Sequence, residues 1–220
     1  MTVAAALNGV EGGLARAIAG TAMAAVLYQR GQMCLHASAV AKDGKAILFA
    51  GFSGAGKSTL ASAFVKQGYE LISDDVTVIH PAPNGTFEAI SSAPSVRLRP
   101  DSYFELELAG DQCFAESWEE KYCLRPQASF AAKATVISKI CHLEVGPVQT
   151  PKTELIQGVQ RIMAVQRNIF RPGLARLVGD TESILQTSIG LAQRLEFQRI
   201  IRPESGFHLE RLCDLVTCPP

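Results

Sequence analysis

From Cys34 onwards, short apolar runs alternate with polar, glycine-containing segments, and this alternation predicts strands and helices in turn. Three strands are predicted first, at 35–40, 46–50 and 69–73. The run 46–50 is apolar throughout, as expected of a strand that is buried on both faces. A turn at 42–45 and a helix at 58–67 connect these strands. The order strand, loop, helix, strand predicts a βαβ unit with a parallel strand pair, and therefore the α/β fold class.

The second half of the chain is less regular, because prolines and an Asn-Gly pair break the pattern between 80 and 135. Further strands are predicted at 96–99, 136–145 and 195–201. Helical segments are predicted at 101–108, 152–170, 181–194 and 207–216. No repeat, low-complexity stretch or linker interrupts the sequence, so we expect a single domain over residues 1–220.

The amino-acid composition argues against several classes of protein, among them nucleic-acid-binding proteins and disulfide scaffolds. The 220 residues are 47% apolar and 19% charged, which is typical of a globular chain with a core. The 21 basic residues equal the 21 acidic ones, so no overall field attracts nucleic acid, and we expect no nucleic-acid partner. The six cysteines include no Cys-x-x-Cys pair, which favours reduced thiols in the cytoplasm over a disulfide scaffold or a zinc site.

The apolar run 18–28 is about half as long as the roughly 20 residues that a membrane span needs. We interpret 14–29 as a buried, alanine-rich helix. The amino terminus also lacks the positive segment that begins a secretory signal. The sequence therefore predicts a soluble protein with no membrane partner.

The strongest motif is Gly-Phe-Ser-Gly-Ala-Gly-Lys-Ser, which begins at Gly51 and satisfies the Walker A pattern at every defined position. It follows a predicted buried strand and precedes a predicted helix, as a phosphate loop requires. Backbone N–H groups of such a loop and the helix N-terminus bind phosphates, the lysine neutralises them, and the serine hydroxyl binds Mg²⁺. The sequence thus predicts binding of ATP and Mg²⁺. The candidate nucleotide-binding residues are Gly51, Ser53, Gly54, Ala55, Gly56, Lys57, Ser58 and Thr59.

Two adjacent carboxylates, Asp74 and Asp75, follow the strand after the phosphate-loop helix, where ligands gather in parallel sheets. One carboxylate suffices for Mg²⁺, so the second is a candidate acceptor for the proton of an attacking hydroxyl. Alternatively, Asp74 caps a turn and Asp75 alone matters. His36 lies in the strand before the loop and is either structural or directed at the same pocket.

Other candidates carry weaker signals. Arg161, Arg167 and Arg171 lie in or after a predicted helix, and any of them is either a cation that closes the site or part of a solvated helix face. The remaining histidines have no spacing typical of metal ligands, and we interpret them as structural. They are His80, His142 and His208.

His36, the phosphate loop and the Asp74-Asp75 pair together resemble the catalytic domain of the HPr kinase/phosphorylase family. The resemblance covers residues 34–79 and implies a nucleotide-binding fold like that of phosphoenolpyruvate carboxykinase. It implies a nucleotide-binding core at 33–80, followed by an acceptor-binding and helical remainder at 81–220. It also implies that Asp74 accepts the serine proton, that His36 supports it, that Lys57 holds phosphate, and that Ser58 and Asp75 bind the metal.

The compact chain also resembles the HPr-kinase-like proteins found with lasso-peptide biosynthesis. That resemblance implies a cytoplasmic serine kinase that uses ATP and Mg²⁺ to phosphorylate the C-terminal serine of a precursor peptide. Two alternatives stay open: a kinase for an HPr-like protein or small metabolite, and a non-catalytic nucleotide-binding regulatory module. The partner is then a peptide or protein with a serine hydroxyl, and a homo-oligomer is equally compatible with the sequence.

Overall fold

The computed structural model describes residues 18–92, 95–106, 113–116, 121–124, 131 and 133–218. Three predicted features fall partly outside these residues: the start of the helix at 14–29, Pro94 before the strand at 96–99, and the end of the helical segment at 101–108. The side chains of Cys113 and Cys123 are also outside the description, whereas Cys34, Cys141, Cys213 and Cys218 are free thiols.

The helices begin with a π-helical turn, Ile18–Ala22, which continues into α1. The α-helices are α1 (Met23–Gln29), α2 (Lys57–Lys66), α3 (Pro100–Glu105), α4 (Val159–Arg167), α5 (Pro172–Val178), α6 (Thr181–Arg194) and α7 (Leu209–Thr217). None of the helices in the described part of the chain is both long and apolar enough to cross a bilayer.

The strands are β1 (Met33–Leu35), β2 (Ala37–Lys42), β3 (Lys45–Gly51), β4 (Glu70–Ser73), β5 (Thr77–Pro81), β6 (Phe87–Ile90), β7 (Val96–Leu98), β8 (Cys113–Glu116), β9 (Lys121–Leu124), β10 (Thr135–Val145), β11 (Lys152–Leu155) and β12 (Glu196–Arg202). The larger sheet has the order β1-β5-β6-β10-β3-β2-β4, and β12 and β11 extend it from β10. The smaller sheet has the order β7-β9-β8. The predicted α/β class is confirmed, with a mixed sheet.

The predicted parallel pair on either side of the phosphate-loop helix is wrong. Strands β3 and β4 run in the same direction, but β2 lies between them and is antiparallel to both. A tight turn explains this order, because Asp43 and Gly44 both have positive φ angles and fold β2 back onto β3 as a hairpin. The parallel neighbours in the sheet are β3 and β10, and β10 and β12.

Two other predictions need correction. The strand predicted at 35–40 is divided at His36, because β1 pairs with β5 whereas β2 pairs with β3 and β4. The helix predicted at 152–170 is shorter, since β11 occupies its first residues and hydrogen-bonds to β12. Sheet pairing thus overrides the local helical pattern there. Elements β6, β8, β9 and α5 were not predicted.

Helices cover both faces of the larger sheet, which creates two apolar clusters. Residues of α1, α4, α5 and α6 pack on one face with Leu48 of β3. Residues of α2, α7 and β7 pack on the other face with Phe49 of β3. Successive side chains of a strand point to opposite faces, so β3 is buried on both sides, as its continuous apolar sequence predicts.

Candidate functional site

The phosphate loop connects β3 to α2, and its backbone depends on glycine at three positions. Gly51, Gly54 and Gly56 have φ angles of 139°, 83° and 103°, a region that L-residues rarely adopt. A Cβ atom on Gly51 would lie 2.4 Å from the carbonyl oxygen of Leu143. The strand, glycine-containing loop and helix N-terminus therefore form the concave backbone in which anions are typically bound.

The side chains at the end of this loop point into its interior and towards β4. Lys57 is buried, and its Nζ donates to the carbonyl oxygens of Gly51 and Phe52 at 2.9 and 3.1 Å. The Ser58 hydroxyl donates to Asp74 Oδ1 at 2.8 Å. These contacts place a cation inside the loop and a hydroxyl beside a carboxylate.

Thr59 faces the helix that covers the loop. Its hydroxyl donates to Ser102 Oγ of α3 at 3.0 Å, so this side chain fixes α3 above the N-terminus of α2.

Asp74 is fixed by three donors at the end of β4. Its Oδ1 accepts from Ser38 at 2.5 Å as well as from Ser58, and its Oδ2 accepts from the backbone N–H of Arg97 at 3.0 Å. Ser38 belongs to β2, the strand inserted beside β4. The inserted strand therefore contributes directly to the site.

Asp75 faces a different set of groups. Its φ angle of 72° turns the backbone into the left-handed region. Its Oδ1 lies 3.2 Å from His36 Nδ1, and its Oδ2 accepts from Arg97 Nη2 at 2.9 Å. The His36 Nδ1 atom is also 2.9 Å from the backbone oxygen of Asp75. Because the side chains of His36 and Asp75 are 31% and 38% exposed, this pair is accessible from the cleft.

These groups line one cleft of about 870 Å³, which is large enough for a nucleotide. Of the predicted nucleotide-binding residues, the aspartates and His36, all but Gly51 line this cleft: His36, Ser53, Gly54, Ala55, Gly56, Lys57, Ser58, Thr59, Asp74 and Asp75. His36 and the two aspartates therefore line the same cleft as the phosphate loop.

Three further residues of the site were not predicted, namely Ser38, Arg97 and Arg202. The Arg202 guanidinium donates to the carbonyl oxygens of Ala55 and Gly54, both at 2.9 Å. Burial lowers the pKa of Arg202. Arg97 lies in β7 and Arg202 ends β12, so both reach the cleft through strand pairings that are distant in sequence. Neither carries a local motif that could have identified it.

The three arginines considered from the sequence lie elsewhere, and none lines the cleft. Arg161 donates to backbone oxygens that include that of Ile156, and Arg171 lies 5.7 Å from the ring centre of Phe170. Arg167 lines a second cavity of about 160 Å³ together with His142.

The oxygen ligands at the site fit magnesium. Among the residues that the structure describes, no three His, Cys, Asp or Glu side chains cluster as a metal centre would require. The Ser58 hydroxyl and the Asp74 carboxylate nevertheless lie within hydrogen-bond distance beside the loop. Mg²⁺ prefers such hard oxygen atoms and takes its remaining ligands from phosphates and water. Ser58 and Asp74 would therefore hold it.

The chain is similar to a described protein family and to a solved structure. The family model described as "SynChlorMet cassette protein ScmC" matches residues 17–96, which include His36, the phosphate loop and both aspartates. A solved structure, the HPr(Ser) kinase/phosphatase from Coxiella burnetii, is similar with a TM-score of 0.39 and 13% identity. This similarity covers 83% of the present chain and 93% of that one. No curated protein matches the sequence. The chain is thus similar, over residues 17–96, to the family that this model describes.

Proposed function

We propose that this chain is a kinase that transfers the γ-phosphoryl group of ATP to a serine hydroxyl of a peptide or protein, with Mg²⁺ as cofactor. The observation that carries the proposal is the position of the His36–Asp75 pair in the same cleft as Lys57 and Ser58. A protein that only binds phosphates needs no accessible carboxylate–imidazole pair beside them. A kinase does need such a group, because the serine hydroxyl that attacks the phosphate must lose its proton to a nearby base.

The phosphate loop supplies the binding half of this function. Its backbone N–H groups and the N-terminus of α2 receive the phosphate oxygens, and Lys57 exchanges its contacts with loop carbonyls for contacts with phosphate. Ser58 and Asp74 would hold Mg²⁺, which would supply positive charge beside the phosphates.

The contacts of the two aspartates favour an exchange of the roles that the family resemblance implies. Asp74 accepts from Ser58, the expected metal ligand, and from two other donors, so its oxygen atoms have fixed positions. Asp75 is the carboxylate beside His36 and is open to the cleft. We therefore assign Asp74 to the metal and Asp75 to the proton, whereas the family resemblance implied the reverse.

The proposed transfer conserves atoms and charge. The serine oxygen forms a bond to the γ-phosphorus while the bond between that phosphorus and the β,γ-bridging oxygen breaks, and ADP leaves. The hydroxyl proton passes to an Asp75 carboxylate oxygen. His36 and the Arg97 guanidinium hold that carboxylate in place from two sides. Such general-base assistance typically contributes a rate factor of about 10² to 10⁴.

A pair of single substitutions tests the assignment. Asp75→Asn should lower phosphoryl transfer about 10²-fold or more with little change in the dissociation constant for ATP. Asp74→Asn should weaken nucleotide binding in the presence of Mg²⁺ more than in EDTA. Transfer rates come from radiolabelled ATP, and dissociation constants come from calorimetry. Full phosphorylation by Asp75→Asn would refute Asp75 as the base. Loss of transfer in Asp74→Asn, with nucleotide binding in Mg²⁺ unchanged, would instead make Asp74 the base.

The acceptor class follows from the resemblance to lasso-associated kinases and needs its own experiment. The protein, ATP and Mg²⁺ are incubated separately with peptides that end in serine, with a folded HPr-like carrier and with small hydroxylated metabolites. Mass spectrometry should find one added phosphate on the C-terminal serine of the peptide, and Asp75→Asn is the matched control. Phosphate on the carrier or metabolite alone would favour the alternative kinase. Nucleotide binding without any phosphorylated acceptor would favour a regulatory module.

A further inference from the structure

Asn168 hydrogen-bonds both to the phosphate loop and to the backbone of His36. It follows α4 directly and is buried, with 5% of its surface exposed. Its Oδ1 accepts from the backbone N–H of Gly51, the first residue of the phosphate loop, at 2.8 Å. Its own backbone oxygen accepts from the N–H of His36 at 2.7 Å. One residue therefore holds both the base of the phosphate loop and the histidine beside Asp75.

The Asn168 side chain is itself fixed in orientation. Its Nδ2 donates to the carbonyl oxygen of Ala164 at 2.7 Å and lies 3.1 Å from His142 Nδ1. Burial lowers the pKa of His142, which favours the neutral ring that can accept this hydrogen bond. The amide group consequently has its nitrogen towards α4 and its oxygen towards Gly51.

The chain around Asn168 runs beside the turn that carries His36. Ile169 forms an isolated antiparallel bridge with Leu35, and the Phe170 N–H donates to the Cys34 carbonyl at 2.9 Å. This contact holds the segment that follows α4 against the junction between β1 and β2. A displacement of Asn168 would therefore be transmitted to His36 as well as to Gly51.

We propose that Asn168 is a positioning residue that sets the phosphate loop relative to the His36–Asp75 pair; this inference rests on the proposed kinase function. The Gly51 N–H is buried, so removal of Oδ1 takes away its acceptor. The Gly51 carbonyl accepts from Lys57 Nζ, and rotation of this peptide therefore also moves the phosphate-binding lysine.

The test compares Asn168→Ala with Gln198→Leu. Gln198 is a matched control because it is also a buried amide, but its Nε2 donates to Thr153 and to the Leu215 carbonyl rather than contacting Gly51 or His36. Asn168→Ala should raise the dissociation constant for ADP about tenfold and lower kcat about tenfold, as expected for loss of a buried hydrogen-bond acceptor. Gln198→Leu should leave both within about twofold at a temperature where both variants are folded.

The outcomes separate this inference from the kinase proposal. If Asn168→Ala binds ADP as tightly as Gln198→Leu does, the positioning role is refuted even where phosphoryl transfer is observed. If ADP binding weakens only in Asn168→Ala and no acceptor is phosphorylated, the positioning role stands and the kinase proposal fails.

A second measurement needs no substitution and covers the case in which Asn168→Ala does not fold. In the wild-type protein, addition of ADP should shift the NMR signals of the Asn168 side-chain NH₂ group, because its oxygen contacts the phosphate loop. The Gln198 side-chain signals should not move and serve as the internal control. Unchanged Asn168 signals at saturating ADP would overturn the proposal.

Discussion

At the scale of single residues, two neighbouring aspartates acquire different surroundings from a local change in the backbone. Asp74 follows β4 and points towards Ser58, whereas Asp75, which has a positive φ angle, has its carboxylate beside His36. The sequence Asp-Asp indicates that two carboxylates are available but not which of them lies beside His36. That distinction depends on Ser38 and Arg97, which come from other strands.

Gly51 is the residue at which the loop is least tolerant of a side chain. Gly51→Ala places a Cβ atom 2.4 Å from the Leu143 carbonyl oxygen at a φ angle of 139°, so we expect a loss of about 3 kcal/mol in the free energy of unfolding. Gly44→Ala is the control, because its φ angle is also positive but no atom lies within 4 Å, and about 1 kcal/mol is expected. Urea unfolding measures both. Equal losses would show that β10 does not restrict the loop.

His142 gives the protein a pH-dependent stability term. Burial lowers the pKa of this histidine below its usual value of 6.5, so the unfolded chain binds the proton more readily than the folded one. Its contribution is therefore fully present above pH 6.5 and is lost as the pH falls below it. His142→Gln should flatten this part of the curve of unfolding free energy against pH. Glu144 and Arg199 also face His142, so an unchanged curve would assign the dependence to other groups.

The shape of the phosphate loop could be predicted from the sequence because such a loop is a local structure. Its glycines, lysine and serine are consecutive, and the strand and helix on either side supply the rest. Arg97, Asn168 and Arg202 reach the same place only through tertiary contacts with Asp75, Gly51 and the loop carbonyls. No pattern along the chain encodes such contacts, and this is why the sequence did not reveal these residues.

At the scale of secondary structure, the type of an element was easier to predict than its neighbours. The predicted strands at 46–50 and 69–73 and the helix at 58–67 are all present, because their apolar patterns are strong. The sequence did not show that β2 lies between β3 and β4, since that order depends on which strand edges meet after the hairpin forms. The insertion also places Ser38 beside Asp74.

The carboxyl end of β12 stabilises the phosphate loop through Arg202. Its guanidinium donates to two carbonyl oxygens of the loop, at Gly54 and Ala55, which should hold the loop backbone in place. Arg202→Gln should therefore raise the dissociation constant for ADP about tenfold. Arg199→Gln is the matched control, because Arg199 lies on the same strand but pairs with Glu144 and Glu154. Calorimetric titration with ADP measures the dissociation constant of each variant. Equal constants for the two variants would contradict a role of β12 in stabilising the loop.

At the scale of the whole molecule, the larger sheet combines strands from both parts of the chain. The nucleotide-binding core expected at 33–80 supplies β3, but both β3 and β6 hydrogen-bond to β10, and β12 extends the sheet beyond it. The carboxyl-terminal strands also bring Arg202 to the phosphate loop. The segment that carries the Walker A sequence is therefore hydrogen-bonded to strands from the later part of the chain.

This sharing of strands predicts one cooperative unfolding transition. If the described part of the chain folds as a unit, circular dichroism and hydrogen exchange at β3 and β12 should report the same midpoint. ADP at about 100 times its dissociation constant adds about 2.7 kcal/mol to the free energy of unfolding, which should raise both midpoints together by several degrees. Two transitions, with only the one that includes β3 shifted by ADP, would instead show that the nucleotide-binding segment folds independently of β10 and β12.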